Sequence, residues 1–350
     1  MGTESQNRRR TRPFVSVVIP VYNGARTIAR AIESVFAQQC DYRLEIIVAN
    51  DGSTDDTPNV LARYGDRIRV LDLPNCGPAA ARNAGVRASN GEFIALLDAD
   101  DWWMPTFLAE TISRLERDEA CVLVYSDAIR VDPDANVLST SYVPESQHRD
   151  LNLADLLRAP IHIQPSTCVL RRTAYDRVGG FCEEFEPGFN VCEDTFFFMS
   201  VCQHGKIHLV RQALGCIETP RSFAEQMVKK TLWHAGAALD RAQWTPAAYI
   251  RNYETFIRLV TARYGGQARP LIRQIRITES GLLTNAAHSL IEVGEVGAAR
   301  SCYREILRIR PLDPRAYVRL AWTLLPAAIA KSILTLLPSR YARALPRPAG

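Results

Sequence analysis

The sequence contains no cysteines spaced as C-x-x-C, and its nine cysteines are an odd number. The pattern excludes a disulfide-stapled scaffold and favours a reducing compartment. No G-x-G-x-x-G follows the first apolar segment, which excludes the dinucleotide-binding form of an α/β fold. Residues 1–13 are polar and basic, so they predict no secretory signal. Position six lacks the Ser or Thr of an N-myristoylation motif.

Long apolar runs are also scarce. The most apolar one, residues 322–337, contains Pro326 and Lys331 and is followed by Pro338. Its length of about 16 residues is short of the roughly 20 that a bilayer-spanning helix needs. The segment therefore predicts either an amphipathic helix at a membrane surface or a helix packed on the domain.

Charge is distributed unevenly along the 350 residues. Residues 241–350 hold 17 Lys and Arg against 6 Asp and Glu, a net charge of +11, whereas the whole chain carries only +4. Such a basic region suits an anionic surface such as lipid headgroups or a polyanionic acceptor. A solvated helical surface rich in arginine explains the same pattern, and composition does not separate the two.

The first hundred residues alternate between strand-like apolar runs and helix-like periodicity, which predicts a sheet of parallel strands covered by helices on both faces. In such a sheet, ligands bind at the carboxyl ends of the strands. The predicted strands are Phe14–Ile19, Leu44–Ala49, Ile68–Leu71 and Phe93–Leu97, and the predicted helices are 24–37, 55–64 and 78–88.

Three regions are predicted from the rest of the pattern: a disordered basic tail over 1–12, an α/β domain over 13–220, and a helical C-terminal appendage over 221–350. Within the domain we predict a helix from Pro105 to Arg117, a hairpin through Asp132-Pro133-Asp134, and irregular structure over 141–165. We also predict the strands 121–125 and 167–171 and a helix over 192–204. Residues 282–325 resemble a single tetratricopeptide-like helix pair, too little for a repeat array.

The segment FIALLDADDWW is the most informative stretch. Its apolar run ends at Asp98, Asp100 and Asp101, and three carboxylates so close together repel one another unless a cation neutralises them. A strand end rich in acidic oxygen favours a hard divalent cation, Mg²⁺ or Mn²⁺, together with the diphosphate that shares it. Asp101 is predicted to cap the helix that follows.

Each of the first four predicted strands is followed by a polar cluster, and in a parallel sheet these clusters meet at one edge. The clusters comprise Tyr22 and Asn23, then Asp51 and Gly52, then Asn75, Gly77, Arg82 and Asn83, and finally the acidic segment 98–101.

The residue types suit a nucleoside diphosphate. Tyr22 offers a wall for a base, Asp51 can accept from the imide N–H of uracil or thymine, and Gly52 permits close backbone approach. Arg82 can form paired hydrogen bonds with ribose or phosphate oxygens. Asp98 can accept hydrogen bonds from ribose hydroxyls, and Asp100 can hold the cation.

The chain closely resembles the inverting glycosyltransferases of family 2, which have the GT-A fold: a doubly wound, mixed and mainly parallel sheet with helices on both faces. The matching stretches are VSVVIPVYNGARTIARAIESVFAQ, EIIVANDGSTDDT, NCGPAAARNAG and GEFIALLDADDWW, followed by STCVLRRTAYDRVGGFCEEF and NVCEDTFFF. They extend to roughly residue 215, and nothing beyond about 240 is covered.

The resemblance implies roles for individual positions. Residues that would contact the nucleoside and ribose are Pro20, Tyr22, Asn23, Asp51 and Arg82, with Asp98 near the ribose and Asp100 on the metal. One position departs from the family: Asn50 stands where an acidic residue usually precedes Asp51.

The pair Glu193-Asp194 is implied to supply catalysis, with Asp194 as the general base. The residues independently suit that role, because two carboxylates open the apolar TFFFMSV segment, where a helix N-terminus stabilises negative charge. Capping of that helix is the simpler explanation for either carboxylate.

The sequence therefore predicts a metal-dependent, inverting glycosyltransferase that moves a sugar from a nucleotide-diphosphate donor, a UDP-sugar first of all, to a glycan or polyprenyl-linked acceptor. The alternatives are a nucleotidyltransferase and a non-catalytic scaffold. We expect a cytoplasmic protein, peripheral on the inner face of the plasma membrane, that makes surface polysaccharide and binds no nucleic acid.

Overall fold

The computed structural model describes residues 14–158, 163–185, 193–219, 246–292, 296–325 and 329. Its centre is a nine-stranded mixed sheet. The strands are β1 Phe14–Val21, β2 Arg43–Asn50, β3 Arg69–Asp72, β4 Phe93–Leu96, β5 Trp102–Trp103, β6 Cys121–Val131, β7 Val137–Ser139, β8 Cys168–Arg171 and β9 Lys206–Glu218.

Helices follow most of the strands, and a helical region follows the sheet. Those beside the sheet are α1 Ile28–Phe36, α2 Thr57–Ala62, α3 Pro78–Arg87, α4 Phe107–Arg117, α5 Leu153–Leu156, α6 Arg172–Val178 and α7 Glu193–Cys202. Those of the C-terminal region are α8 Pro246–Tyr264, α9 Arg269–Glu292, α10 Val296–Ile309 and α11 Pro314–Trp322.

The strand order is β3-β2-β1-β4-β8-β6-β9-β5, with β7 paired to β6. Strands β1 to β4 are mutually parallel where they pair, whereas β8 runs antiparallel to both of its neighbours. The register sets Val21 beside Asn50 and Asn50 beside Asp72. The carboxyl ends of the first three strands therefore lie level with one another at one edge of the sheet.

Hydrophobic side chains cover both faces of the sheet. In β1, Val15, Val17, Ile19 and Val21 pack into one core cluster with α1, α2 and α4, while Val18 faces a second cluster that includes α3, α6 and α7. This alternation follows from the two-residue period of a strand. The predicted mixed α/β sheet with helices on both faces is confirmed.

The sequence patterns predicted β1 to β4, β8, the hairpin of β6 and β7, and the helices α1 to α4 and α7. They did not predict α6, or α5, which lies in the segment predicted to be irregular. Two strands were not predicted. β9 is the longest strand of the sheet at 13 residues, and β5 has only two. β9 pairs with both β6 and β5. Because β5 directly follows the acidic segment 98–101, this pairing joins that segment to the β6 end of the sheet.

The C-terminal helices divide between two cores. Tyr253 and Phe256 of α8 and Leu271 of α9 belong to the same cluster as the sheet, whereas Tyr303 of α10 packs in a separate cluster with the end of α9 and α11. Helices also occupy the segment predicted to be a helix pair. In the described part of the chain, no helix is long and apolar enough to cross a membrane. The predicted basic tail and most of the apolar segment 322–337 lie outside the described residues.

Candidate active site

The loops after β1 and β2 are joined through Asn23. Its side-chain oxygen accepts hydrogen bonds from the backbone N–H groups of Thr54 at 2.7 Å and Asp55 at 3.2 Å. Its own N–H donates to the Ser53 hydroxyl at 2.9 Å. Asn23 also has a positive φ of 51°, which asparagine tolerates better than most residues. Asn23 thus shapes the rim that is predicted to hold the nucleoside.

Asp51 organises the loop between β3 and α3. Its carboxylate is fully buried and accepts from the backbone N–H groups of Cys76 at 2.6 Å and Gly77 at 2.9 Å. The Cys76 thiol also donates to it at 3.2 Å. Partial burial and this bond raise the pKa of Cys76 to about 12. The residue predicted to read the base is therefore also a structural acceptor for two loop amides.

The backbones of the second and third clusters touch. Gly52 has a φ of +73°, and a Cβ there would lie 2.9 Å from the Asn75 backbone nitrogen. Gly77 has a φ of 89° and Asn75 one of 26°. A side chain at position 52 would therefore be strained and would also clash with backbone, which explains the glycine.

Asn50, the departure from the family pattern, faces Asp72 on the neighbouring strand. Its amide nitrogen donates to the Asp72 carboxylate at 2.8 Å, and its side-chain oxygen accepts from the Ser53 N–H at 3.2 Å. A carboxylate at position 50 would bring two negative charges together. The substitution is thus matched by an acid on β3.

Two other predicted nucleoside contacts are buried. Pro20 lies within β1 opposite Ala49 of β2, and Tyr22 is only 5% exposed. Tyr22 follows the last residue of β1, so it reaches the same edge as the other clusters. It presents only a small surface to a base.

The three carboxylates after β4 have different surroundings. Asp98 pairs with Arg82 at 2.8 Å, and Asp101 is buried and accepts from the Glu218 N–H at 2.8 Å. Burial raises the pKa of Asp101, and the charges of Asp100 and Asp98 raise it further. Asp100 is partly exposed, and its backbone oxygen accepts from Arg30 at 3.0 Å.

The predicted capping role of Asp101 is wrong. Trp102 and Trp103 form β5, so α4 begins only at Phe107, with Thr106 as its cap residue and no capping bond from its side chain. Asp101 instead ties the acidic segment to the end of β9.

Arg82 lies between the acidic segment and α7. Its side chain is 6% exposed; one guanidinium nitrogen is 2.8 Å from Asp98, and another is 3.6 Å from Asp194. Burial alone would lower the pKa of Arg82, but the charges of Asp98, Asp194 and Glu193 raise it above its usual value. The guanidinium group also lies over the Phe181 ring, 5.3 Å from its centroid.

Glu193 and Asp194 begin α7, as predicted, and they differ in exposure. Glu193 is 3% exposed, whereas 29% of the Asp194 side chain is exposed. Asp194 is therefore the more accessible carboxylate of the two.

Several residues that support the site were not predicted to belong to it. The Ser166 hydroxyl accepts from the Asp98 N–H at 3.0 Å, and the Ser166 carbonyl accepts from the Trp103 indole at 2.6 Å. The Asn83 amide donates to the Phe181 carbonyl at 2.9 Å and to Glu183 at 2.7 Å. Asn83 belongs to the third polar cluster and Ser166 begins the family-like stretch STCVLRRTAYDRVGGFCEEF, but nothing in the sequence indicated these contacts.

The sequence predicts a divalent cation at the acidic segment after β4. Among the described residues, no group of three or more His, Cys, Asp or Glu side chains could hold a metal ion together. Asp98 pairs with Arg82 and Asp101 accepts from a backbone amide, while Asp100, the predicted metal ligand, is partly exposed in the same segment.

Two solved structures share the fold over most of the chain. Staphylococcus aureus TarS 1–349 in complex with UDP-GlcNAc has a TM-score of 0.58 at 16% identity, over 94% of this chain and 87% of that one. The mannosyltransferase PcManGT of Pyrobaculum calidifontis, in complex with GDP-Man and Mn²⁺, has a TM-score of 0.52 at 18% identity, over 94% and 88%. The predicted GT-A fold class is confirmed.

Sequence relatives narrow the class to one family. Residues 16–179 match the family model for glycosyl transferase family 2. The putative glycosyltransferase EpsH of Bacillus subtilis is 34% identical over 257 residues, which are 69% of this chain and 70% of EpsH. The chain belongs to glycosyltransferase family 2, as its motifs predicted.

Another relative is much longer than this chain. Chondroitin synthase of Pasteurella multocida is 36% identical over 198 residues, which are 55% of this chain but only 19% of that protein. The chain thus spans about a fifth of the length of this relative.

Proposed function

We propose that the protein is a metal-dependent, inverting glycosyltransferase that moves a sugar from a UDP-sugar to a hydroxyl of a glycan or lipid-linked acceptor. One observation carries the proposal: Arg82 joins the acidic end of β4 to the start of α7, at the edge where the four polar clusters meet. The short distances from Arg82 to both carboxylates support one site that would hold the donor and the base together.

The donor would lie along the strand ends. Asp51 and Gly52 would border the base, and Arg82 and Asp98 would border the ribose and phosphates; the contacts of Asp51 with Gly77 and of Arg82 with Asp98 support this arrangement. In that pose Arg82 supplies positive charge to the phosphates without leaving the carboxylates that orient it. The ligands named for the two solved structures, UDP-GlcNAc and GDP-Man, support a nucleotide-sugar donor.

Asp194 would accept the proton of the acceptor hydroxyl as that oxygen attacks the anomeric carbon. Its exposure and its place at the start of a ten-residue helix support the assignment over the buried Glu193. The departing diphosphate would lie on the opposite side of the sugar, which gives inversion of the anomeric configuration.

Mg²⁺ or Mn²⁺ held by Asp100 would neutralise the diphosphate leaving group. The partial exposure of Asp100 and its place in the acidic segment after β4 support this assignment. Mn²⁺ in the PcManGT structure supports the choice of metal.

Surface polysaccharide is the proposed product class. The relatives named chondroitin synthase and hyaluronan synthase are each 36% identical to this chain over 198 residues. The succinoglycan biosynthesis protein ExoO of Rhizobium meliloti is 42% identical over 123 residues. Their names support a glycan acceptor.

A mass-spectrometric screen of UDP- and dTDP-sugars, with Mn²⁺ or Mg²⁺, tests the proposal. We expect turnover of one donor, at least through hydrolysis. Asp194→Asn should lower it about 10²–10⁴-fold while nucleotide affinity stays unchanged. Asp100→Asn should lower both turnover and metal-dependent nucleotide affinity. Full activity in either variant would refute the mechanism. If no donor is turned over, the hypothesis of a non-catalytic scaffold is favoured. If the nucleotide is transferred and not the sugar, the protein is a nucleotidyltransferase.

We also propose peripheral attachment to an anionic membrane through the C-terminal helices. Large apolar side chains are exposed around α11: Leu312 at 93%, Leu324 at 63% and Val318 at 57%. Arg315 and Arg319 lie on the same helix, within the basic region of net charge +11. Exposed apolar groups beside arginines suit the interface of an anionic bilayer.

Sedimentation with phosphatidylcholine vesicles, with and without 30% phosphatidylglycerol, tests this attachment. Binding should require the anionic lipid and should weaken in high salt because the charges are then screened. Val318→Asp with Leu324→Asp should abolish it. Val137→Asp, at a residue of β7 that is equally exposed, should leave it unchanged. Equal loss in both variants, or no binding by the wild type, would refute attachment by this surface.

A further inference from the structure

Glu218, the last residue of β9, forms a buried ion cluster beside the acidic segment. Its side chain is 3% exposed. One carboxylate oxygen is 3.1 Å from Arg26, and the other is 3.1 Å from Arg30. A buried carboxylate requires such compensation, because desolvation of the charge is otherwise costly.

The two arginines share the carboxylate but differ in what else they contact. Arg30 donates to the backbone oxygen of Asp100 at 3.0 Å, and its guanidinium group lies 3.7 Å from the centroid of the Trp102 ring. Arg26 donates instead to the Pro133 carbonyl at 2.7 Å, and 62% of its side chain is exposed. Of the two arginines, Arg30 is therefore the one that connects Glu218 to the acidic segment.

Glu218 makes a second connection through its backbone. Its N–H donates to the Asp101 carboxylate at 2.8 Å. On the other side, the Ser166 hydroxyl accepts from the Asp98 N–H at 3.0 Å. Asp100 thus lies in a segment that is held by hydrogen bonds at Asp98 and at Asp101. Arg30 adds a hydrogen bond to the backbone oxygen of Asp100 itself.

We propose that Arg30, oriented by Glu218, is a positioning residue that sets the direction of the Asp100 carboxylate. The inference rests on the proposed function, in which Asp100 holds the cation shared with the diphosphate. Three nearby carboxylates repel one another, so the segment needs external hydrogen bonds to keep one geometry. Groups that orient a metal ligand contribute to metal affinity without touching the metal.

Calorimetric titration of UDP, with and without Mn²⁺, tests the proposal. In the wild type we expect Mn²⁺ to increase UDP affinity. Arg30→Ala should reduce that increase about tenfold, the lower end of the effect of removing a group that orients a metal ligand. Its affinity for UDP alone should not change. If Arg30 only stabilised the fold, Mn²⁺ would increase the UDP affinity of Arg30→Ala as much as that of the wild type.

Arg26→Ala is the matched control, because it removes the other partner of the same carboxylate. It should keep the increase due to Mn²⁺. Equal losses in the two variants would show that disruption of the cluster, and not the contact with Asp100, is responsible. Glu218→Gln should resemble Arg30→Ala, and melting temperatures of all variants report whether folding is intact.

Asp100→Asn separates this inference from the proposed function. If Asp100→Asn loses the increase due to Mn²⁺ while Arg30→Ala keeps it, the positioning role is refuted and the metal assignment stands. If the wild type shows no increase, or Asp100→Asn retains it, both are refuted.

Discussion

Arg82 forms a 2.8 Å ion pair with Asp98 and lies 3.6 Å from Asp194. The first carboxylate follows β4, and the second begins α7, almost a hundred residues later. One buried cation therefore joins the donor side of the site to the proposed base. The relationship also orients Asp194, since its carboxylate faces a guanidinium group whose position Asp98 fixes.

Arg82→Lys should lower kcat/KM about 10–100-fold, because one ammonium group cannot replace a planar fork between two carboxylates and a charge-assisted bond contributes about 1.5–3 kcal/mol. Steady-state kinetics measure this effect, and the melting temperature should change little. Arg87→Lys is the control. Arg87 lies about one and a half turns further along α3, its side chain is 68% exposed, and its ion pair with Glu183 is long, at 3.9 Å. Equal kinetics in both variants would contradict the role of Arg82.

The pairing of Asn50 with Asp72 can be tested by exchanging the two residues. Asn50→Asp should lower the free energy of unfolding by about 1 kcal/mol, since it replaces a hydrogen bond with carboxylate repulsion. The double variant Asn50→Asp, Asp72→Asn restores one amide and one acid and should recover most of that loss. Urea denaturation of the single and double variants gives the coupling. Strictly additive effects would show that the pair is not coupled.

Asn83 should be important for stability, because its buried amide holds the segment that places Phe181 beside Arg82. Asn83→Ala leaves the Phe181 backbone groups unpaired, which should cost about 2–3 kcal/mol of unfolding free energy. Hydrogen exchange of residues 181–183 should also accelerate. Asn59→Ala, at an exposed residue bonded only to the nearby Asp56, should have little effect. Unchanged exchange in Asn83→Ala would contradict this account.

Cys76 should react slowly with iodoacetamide near pH 8, although it is exposed, because its pKa is raised to about 12. Its alkylation rate should still be rising at pH 10. The charge of Asp51 contributes to the shift, so Asp51→Asn should lower the pKa and accelerate the reaction. Rates are best measured in a background with Cys40 and Cys182 replaced by serine. A plateau near pH 9 in the wild type would contradict the bond to Asp51.

The parallel half of the sheet could be predicted because its signals are local. Each strand from β1 to β4 is a short apolar run followed at once by its polar cluster, so the position of Asp51 or Asp98 follows from topology alone. β9 could not be predicted in the same way. Its pairing with β6 shifts register around Asp127, and these irregularities break the alternation of apolar and polar residues.

The supporting residues were hidden for a related reason. Ser166 and Glu218 contact the acidic segment from 65 or more residues away. Ser166 begins a stretch that resembles the family, but nothing in that stretch indicates its bond to Asp98, and Glu218 stands in no motif. The predicted capping role of Asp101 was wrong because β5, with two residues, is too short to have a periodicity, so no strand was predicted between the acidic residues and the helix. Such contacts depend on tertiary packing, which a local pattern does not contain.

The anomeric configuration of the released sugar tests the central claim most directly. Proton NMR can follow the hydrolysis of an α-linked UDP-sugar by the wild type and by Asp194→Asn, and it needs no knowledge of the natural acceptor. The account predicts that the β-anomer appears first, before mutarotation, and that Asp194→Asn releases almost none. Initial release of the α-anomer, or undiminished release by the variant, would contradict it.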